Sequence, residues 1–284
     1  MKIAITGSTG QLGRKVINQL KKRIDTENIV ALARNTEKAS DLGVQVRLFD
    51  YDKPDILKAA LNDIDTLLMI SASEIGKRVK QHTNVLKAAK EAGIKWIVYT
   101  SLLRADTSGI NLAGEHVATE KAIMESGIDY TILRHGWYTE NYTGALGNAL
   151  ASGTLIGSAG DGKISSATRE DFAEAAALVM LDEKNKGRVF EFAGDEAYTL
   201  SDLAAEVSGQ TGREIPYSNL PEDEYAQVLN QSGIPQGISD AIANWDTSAS
   251  QGDLYDDTHQ LSTVLGRPTT SLSQAVNDAL EENK

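Results

Sequence analysis

Three glycines near the start of the chain are spaced three residues apart and follow a short apolar run. The segment Gly7-Ser8-Thr9-Gly10-Gln11-Leu12-Gly13 comes after Ile3–Ile5 and before a stretch with helical spacing of apolar residues. Glycines let a backbone turn tightly and approach a pyrophosphate, and a helix N-terminus offers free N–H groups and a positive dipole end. The position favours a dinucleotide site over the alternative, a tight turn without a ligand.

Arg34 follows the second apolar run, Ile29–Ala33, at a distance of 21 residues from Gly13 (34 − 13). About 20 residues beyond such a turn, an acidic residue binds the ribose of NAD, whereas an arginine accommodates the 2′-phosphate of NADP. A guanidinium at this position therefore predicts NADPH in preference to NADH, with Lys38 as a second candidate cation. The alternative interpretation is a solvated surface arginine.

Further candidates for the cofactor site lie where the third and fourth apolar runs end. They are Asp50 and Tyr51 after the third run, and Ser71, Ala72 and Ser73 after the fourth. Ligands of open α/β sheets bind outside the carboxyl ends of the strands. An aspartate there can accept a hydrogen bond from adenine, and small residues permit close approach of a cofactor. Ordinary turn chemistry is the competing explanation.

The first half of the chain alternates apolar runs with amphipathic stretches. The predicted strands are Ile3–Ile5, Ile29–Ala33, Val44–Phe49, Thr66–Ile70, Trp96–Thr100 and Asp129–Leu133, and the predicted helices are Arg14–Lys22, Pro54–Leu61, Arg78–Ala92 and Gly114–Ser126. Continuous apolar runs indicate strands that are buried on both faces, as in a parallel sheet covered by helices. Strands that alternate with helices indicate right-handed βαβ units. The predicted fold class is therefore a doubly wound α/β sheet.

The second half of the chain has less regular spacing. The predicted elements are the helices Glu170–Leu181, Leu200–Thr211, Glu222–Gln231 and Leu272–Leu280 and the strand Arg188–Ala193. Because Asn244–Thr258 is rich in Ser, Asp and Gly, it is predicted to be a loop.

A proton-donating tyrosine of the Tyr-x-x-x-Lys type does not occur on the predicted helix 114–126. Lys121 lies on that helix, but Val117 stands four residues before it. Lys121 is still a candidate to bind the nicotinamide ribose, with a solvated lysine as the alternative. His116 and Glu120 are interpreted as a surface pair at helical spacing.

Aromatic and amide side chains crowd the segment that follows the sixth predicted strand. It reads Arg134-His135-Gly136-Trp137-Tyr138-Thr139-Glu140-Asn141-Tyr142. Such a mixture is typical of a pocket that binds a flat polar ring. The alternative is a Trp and a Tyr in the core beneath a loop, which would give the same sequence pattern. Farther along, Arg169 is a candidate to reach a cofactor phosphate or to pair with Asp171.

Composition excludes several other classes of function. The chain has no cysteine, so it has no disulfide, thiolate nucleophile or Cys-ligated metal, and its four histidines form no His-x-x-x-His pair. No metal is therefore expected. The net charge of −12 disfavours nucleic acid and anionic membranes as partners. Apolar runs too short to span a bilayer and the absence of a signal-peptide pattern lead us to expect a cytoplasmic protein.

Several strings of the sequence resemble the NmrA-like atypical short-chain dehydrogenase/reductases. The G-x-x-G-x-x-G turn is general to this kind of fold, whereas Trp-Tyr-x-Glu-Asn-Tyr from Trp137 and Ala-Gly-Asp-Gly-Lys-Ile from Ala159 are more specific. The other matching strings are Val30–Asn35, Tyr99–Leu103, Ala105–Ser108, Glu115–Lys121, Leu254–Asp257 and Pro268–Thr270.

The resemblance implies a Rossmann-like domain, residues 1–135, and a smaller C-terminal α/β domain, residues 136–284, with a quinone pocket between them. About residues 151–195 are expected to return to the first sheet. The resemblance also implies that NADPH is held by the glycine turn, Arg34, the Ser71 region and the segment His135, Gly136, Trp137, Tyr138, Thr139 and Glu140.

The implied activity is two-electron reduction of a quinone by direct hydride transfer, without a flavin. We expect the quinone to lie near Trp137, Tyr138 and Tyr142, and Asn141, Lys121 or water to stabilise the developing oxyanion. Two alternatives stay open: an NADP(H)-binding redox sensor that regulates a transcription factor without turnover, and a reductase of another small molecule such as an azo compound.

Overall fold

The computed structural model describes residues 1–282 of the chain. In chain order its elements are β1 (Ile3–Ile5), α1 (Gln11–Lys21), β2 (Ile29–Ala33), β3 (Gln45–Leu48), α2 (Pro54–Ala60), β4 (Thr66–Met69), α3 (Arg78–Ala92), β5 (Trp96–Leu102), α4 (Ala113–Glu125), β6 (Asp129–His135), α5 (Glu140–Thr143), α6 (Leu146–Ser152), β7 (Leu155–Gly157), α7 (Arg169–Met180), β8 (Arg188–Phe192), α8 (Leu200–Thr211), β9 (Tyr217–Asn219), α9 (Glu222–Gln231), α10 (Gln236–Ser250), α11 (Gln260–Leu265) and α12 (Leu272–Glu282).

Seven strands form one parallel sheet in the order β3-β2-β1-β4-β5-β6-β8. In register, Ile3 of β1 lies beside Ile29 of β2 on one side and Thr66 of β4 on the other. The strand order changes direction at β1 and β4, and the crevice at such a switch point is where ligands of these sheets bind. The structure thus confirms the predicted doubly wound, Rossmann-like α/β class.

The main core lies between this sheet and its helices. Helix α3 packs between α2 and α4, and α1 packs against α7. Strands β1, β2, β4 and β5 are buried along their whole length, which explains their continuous apolar sequences. The edge strand β3 is partly exposed.

The chain divides into two compact units. The first unit contains Met1–Asp106, Leu112–His135 and Arg169–Phe192, and the second contains Thr107–Asn111, Gly136–Thr168 and the residues from Ala193 onward. Arg169–Phe192, which supplies α7 and β8, belongs to the first unit, whereas residues 151–168 of the expected range belong to the second.

In the second unit, β7 pairs with β9 in parallel, α9 packs on α10 and α8 packs on α12. The predicted loop from Asn244 is wrong as far as Ser250, because α10 extends over Gln236–Ser250. This helix buries small side chains rather than a stripe of large apolar ones, so apolar periodicity did not reveal it. Its buried residues are Ser239, Ala241, Ala243, Asp246, Ser248 and Ala249.

Candidate functional site

The glycine turn connects β1 to α1 and depends on the absence of side chains. Gly7 has a φ of +59°, in the left-handed region that favours glycine. A Cβ atom on Gly13 would lie 2.4 Å from the Gly7 carbonyl oxygen and 2.8 Å from Cα of Ser8. The backbone N–H of Gly10 donates to the Gly7 carbonyl at 2.9 Å. The predicted turn therefore has the close backbone approach that a pyrophosphate site needs.

Side chains of the turn brace it against the neighbouring strands. The Ser8 hydroxyl donates to the Leu32 carbonyl of β2 at 2.9 Å, and the Thr6 hydroxyl accepts from the N–H of Ile70 at 2.8 Å. Leu12 is buried, whereas Thr9 is half-buried and Gln11 is exposed. No side chain caps α1 at Gly10, so the N-terminal N–H groups of this helix stay open to an anion.

Arg34 lies one residue beyond β2 and is well exposed, with a side-chain exposure of 69%. Its guanidinium lies 3.3 Å from a carboxylate oxygen of Glu74. Lys38 is also exposed. Because the guanidinium of Arg34 is exposed at the end of β2, a phosphate can reach it. Arg34 remains the predicted ligand of the 2′-phosphate.

Asp50 and Tyr51 follow β3 at the same edge of the sheet. The Tyr51 hydroxyl donates to the Ile70 carbonyl beyond β4 at 2.9 Å, and burial raises the pKa of Tyr51 above its usual range. A carboxylate oxygen of Asp50 lies 3.5 Å from the ammonium group of Lys53. Because β3, β2, β1 and β4 are consecutive in the sheet, the glycine turn, Arg34, Asp50–Tyr51 and Ser71–Ser73 follow neighbouring strands at one edge of it.

The Ser71–Ser73 loop after β4 is fixed by side chains from other elements. The N–H of Ser71 donates to the Thr100 hydroxyl at 3.0 Å. The N–H of Ala72 donates to Nε2 of His82 at 3.0 Å, and the Ala72 carbonyl accepts from Nε of Arg78 at 2.8 Å. Sequence reasoning missed this support, since only the fold brings His82 and Arg78 of α3 under the loop.

The Ala72 contact fixes the protonation of His82. Because Nε2 accepts a hydrogen bond, the proton resides on Nδ1, which lies 3.0 Å from the Thr119 hydroxyl on α4. Burial, together with the charge of Arg78, lowers the pKa of His82 to about 3. Arg78 forms an ion pair of 3.0 Å with Glu115, whose other oxygen accepts from the N–H of Gly76. The loop is therefore held by a neutral histidine and a paired arginine.

The interpretation of His116 and Glu120 as a surface pair is wrong, because both residues are buried on α4. Nδ1 of His116 lies 2.7 Å from the Tyr99 hydroxyl, and burial lowers the pKa of His116 to about 3. Glu120 accepts two hydrogen bonds from Arg134, at 2.8 and 3.0 Å. The face of α4 that carries these polar residues packs inward because each of them finds a partner there.

Lys121 and His135 occupy contrasting environments in the first unit. The Lys121 side chain is 74% exposed and lies 3.9 Å from Glu125, so its catalytic role stays a prediction. The His135 ring is buried and stacks on Phe172 with ring centroids 4.4 Å apart, and burial lowers its pKa to about 3. A contact of this ring with a cofactor also stays a prediction. Arg169 is half-buried at the start of α7.

The aromatic segment that begins at Gly136 belongs to the second unit. Trp137 is buried and packs edge-on against Trp245 of α10, with ring centroids 5.3 Å apart. Nε1 of Trp245 donates to the side-chain oxygen of Asn111 at 3.0 Å. The hydroxyls of Thr139 and Ser166 lie 2.8 Å apart.

The later residues of this segment approach the surface. Tyr138, Glu140 and Tyr142 are half-buried, and Asn141 is exposed. The Tyr142 hydroxyl donates to Oδ1 of Asp246 at 3.4 Å. The structure thus links the predicted substrate segment to α10, a connection that sequence reasoning missed because the composition of this stretch favours a loop.

Neither a metal cluster nor a membrane span is found in the described part of the chain. Within residues 1–282, no group of three His, Cys, Asp or Glu side chains could hold a metal ion. Over the same residues, no helix has both the length and the apolar character that are needed to cross a membrane.

Comparison with known proteins identifies several similar chains. A model of the NmrA-like family matches residues 1–279. Quinone oxidoreductase 2 of Escherichia coli (strain K12) is 50% identical over 284 residues, which cover 99% of each chain. The crystal structure of an NADPH-dependent quinone oxidoreductase from Escherichia coli in complex with NADPH has a TM-score of 0.96 at 50% identity and covers 98% of this chain and 99% of that one. A Citrobacter sp. triphenylmethane reductase complexed with NADP(H) has a TM-score of 0.94 at 35% identity and covers 98% of this chain and all (100%) of its own.

Proposed function

Because the chain belongs to the NmrA-like family, we propose that it is an NADPH-dependent oxidoreductase that reduces quinones by two electrons without a flavin. The similar Escherichia coli protein is named as a quinone oxidoreductase, and its structure contains NADPH. The identity of 50% extends over almost the whole of both chains, which supports the transfer of that activity to this protein.

The observation that carries the proposal is the fit of the glycine turn to a dinucleotide. At Gly13 a Cβ atom would collide with the backbone of the turn, so glycine is needed for the tight packing of α1 on β1. The uncapped N-terminus of α1 then offers N–H groups to a pyrophosphate. Arg34, at the end of the next strand, supplies the cation that distinguishes NADPH from NADH.

When bound, NADPH supplies a hydride, and a quinone that takes up this hydride and one proton becomes a hydroquinone. The part of this chain is to orient the reactants, since quinones accept hydride readily and need little further activation. In the first unit, the loop at Ala72 is held in place by His82 and Arg78 and would contact the bound cofactor. In the second unit, Trp137, Tyr138 and Tyr142 are the proposed contacts of the quinone. Asn141, Lys121 or water is proposed to stabilise the developing oxyanion.

The test is NADPH oxidation by the purified protein with a simple benzoquinone, with and without added flavin, after subtraction of the uncatalysed rate. We expect saturable turnover that is independent of flavin and prefers NADPH. In Arg34→Ala, the KM for NADPH should rise by about 10- to 150-fold while that for NADH changes little, since the lost contact is a charged hydrogen bond worth about 1.5–3 kcal/mol. Lys22→Ala, an exposed lysine at the end of α1, is the matched control.

Two results would contradict the proposal in different ways. Tight NADPH binding without turnover across several quinones would favour a redox sensor. Turnover of an azo or triphenylmethane dye, but of no quinone, would keep the reductase class and change the acceptor.

A further inference from the structure

Asp246 is a carboxyl group enclosed in the second unit with few compensating contacts. The residue lies on α10 and is only 5% exposed. Its Oδ2 accepts from the N–H of Ser158 at 3.1 Å, and its Oδ1 accepts from the Tyr142 hydroxyl at 3.4 Å. In the described part of the chain, no lysine, arginine or histidine lies within ion-pair distance of it. An ionised carboxylate in this place is poorly stabilised.

Glu120, a carboxyl of similar burial, shows what a compensated site looks like. It is 4% exposed in the first unit, and it receives two hydrogen bonds from Arg134 and one from the Ser101 hydroxyl. Arg134 thus supplies the opposite charge and the hydrogen bonds that compensate the burial of a carboxyl group. Asp246 has no counterpart of Arg134, so its environment favours the protonated acid.

The groups that face Asp246 from the surrounding elements are phenols. They are Tyr142 of α5, Tyr217 of β9 and Tyr225 of α9, and each has a pKa raised by burial, so none is charged near neutral pH. Burial raises the pKa of Asp246 itself to about 6. A group with this value can both hold and release a proton under ordinary conditions.

The backbone around Asp246 is shaped to admit the carboxyl group. A Cβ atom on Gly157 would lie 2.7 Å from Oδ2 of Asp246, so the carboxyl occupies space that only a glycine leaves open. Next to it, the Ser158 hydroxyl is buried and has no hydrogen-bond partner in the described structure. A buried acid and an unpaired hydroxyl both cost stability, and such costs are typical of functional sites.

We propose that Asp246 is the proton source for the reduced acceptor and that the Tyr142 hydroxyl passes this proton on. The proposal rests on the proposed quinone reduction. After hydride transfer, the acceptor is a hydroquinone anion. Its oxygen takes the hydroxyl proton of Tyr142, and Tyr142 regains a proton from the carboxyl group of Asp246. Solvent then reprotonates the carboxylate, so that each turnover consumes one hydride and one proton.

The separation of 3.4 Å between the two side chains is long for a hydrogen bond, but catalytic hydrogen bonds often tighten only when a substrate is bound. Tyr142 is half-buried and belongs to the segment that is proposed to contact the quinone, so the proposal places its hydroxyl between the enclosed acid and the acceptor. Asp246 therefore acts through Tyr142 and does not touch the acceptor. Its role is to position the Tyr142 hydroxyl and to supply it with a proton.

The test compares Asp246→Asn and Tyr142→Phe with the wild type on two benzoquinones, one substituted with methyl groups and one with chlorine. Chlorinated hydroquinones are stronger acids and need a proton donor less. We expect each variant to lower kcat for the methylated quinone by about tenfold or more, a modest part of what general acids contribute, and to lower it less for the chlorinated one. The wild-type kcat should fall as pH rises through about 6, and this fall should be absent in Asp246→Asn.

The controls separate this inference from the function on which it rests. Asp240→Asn removes an exposed carboxyl from the same helix and should leave kcat unchanged. The Kd for NADPH should stay unchanged in both test variants. If the wild type reduces no quinone, the proposed function fails. If the wild type is active but either variant keeps its kcat, or loses equally with both quinones, the proton route is wrong. Tyr142→Phe removes a single oxygen and decides the question alone if Asp246→Asn does not fold.

Discussion

The glycine turn of the first unit and the Asp246 cluster of the second unit are built in opposite ways. The turn uses seven consecutive residues, Gly7–Gly13, and the proposed dinucleotide site there is formed by backbone groups. The cluster joins Tyr142 and the backbone N–H of Ser158 to Asp246 across separations of 104 and 88 residues, and the groups proposed to react are the side chains of Tyr142 and Asp246. A site made of backbone groups can therefore be recognised from the spacing of residues in the sequence. A site made of side chains that are distant in the sequence can be recognised only once the fold is known.

The largest effect that would test this contrast is expected at Gly13. In Gly13→Ala the new methyl group would lie 2.4 Å from a carbonyl oxygen of the turn, and backbone cannot move away as a flexible side chain can. We expect unfolding to become easier by roughly 3 kcal/mol and NADPH affinity to fall by roughly a hundredfold. Thermal unfolding and titration of bound NADPH fluorescence measure the two effects.

The control for this variant is Gly114→Ala, because Gly114 is an exposed residue of α4 where an added Cβ atom would meet no other part of the fold within 4 Å. This change should stabilise the helix by about 0.5–1 kcal/mol and leave cofactor affinity unchanged. If Gly13→Ala bound NADPH as well as the wild type, the close approach at the turn would have no part in cofactor binding.

The same contrast explains how far the sequence could predict the molecule. Helix α3 was predicted at Arg78–Ala92, where the structure places it, because a regular pattern and a terminal Gly93 mark its ends. Helix α10 was missed because its buried face is made of Ala, Ser and Asp, which carry no apolar signal. His116 and Glu120 were misplaced because polar residues at helical spacing look exposed until their buried partners, Tyr99 and Arg134, are known.

The second prediction concerns the free energy of unfolding, which the buried carboxyl group of Asp246 is expected to lower. The pKa of Asp246 is about 6 in the fold and 3.8 in the unfolded chain. Between these values the folded protein binds one more proton than the unfolded chain, so the stability of the wild type falls as pH rises through this window. At pH 8 this penalty is about 3 kcal/mol, and it should be relieved in Asp246→Asn, which cannot ionise.

Denaturant unfolding of wild type and Asp246→Asn at pH 4 and pH 8 measures this difference. The variant should gain stability at the higher pH and differ little at the lower one, while losing activity as argued above. Asp240→Asn should show no such dependence. A variant that is less stable at both pH values would mean that Asp246 is kept for its contacts with Ser158 and Tyr142 alone.

The smallest effect is expected at His82. Its side chain supports the Ser71–Ser73 loop, which the sequence analysis predicted to be part of the cofactor site. His82→Phe keeps an aromatic ring beside Tyr99 but removes the acceptor for the N–H of Ala72. Because one hydrogen bond to a half-buried N–H is worth about 1 kcal/mol, NADPH affinity should fall about fivefold. In the wild type, His82 is neutral above its pKa of about 3, so it should impose no step on NADPH affinity between about pH 5 and 8.

Lys80→Ala, at an exposed position of α3, is the control for this variant. A loss of thermal stability in His82→Phe with unchanged NADPH affinity would show that the buried histidine serves the fold alone. A loss of NADPH affinity with little change in stability would show that the side chains around His82, which the sequence did not reveal, adjust a cofactor site that is made of backbone groups. In that case the loop after β4 would combine backbone groups that bind the cofactor with side chains that hold this backbone in position.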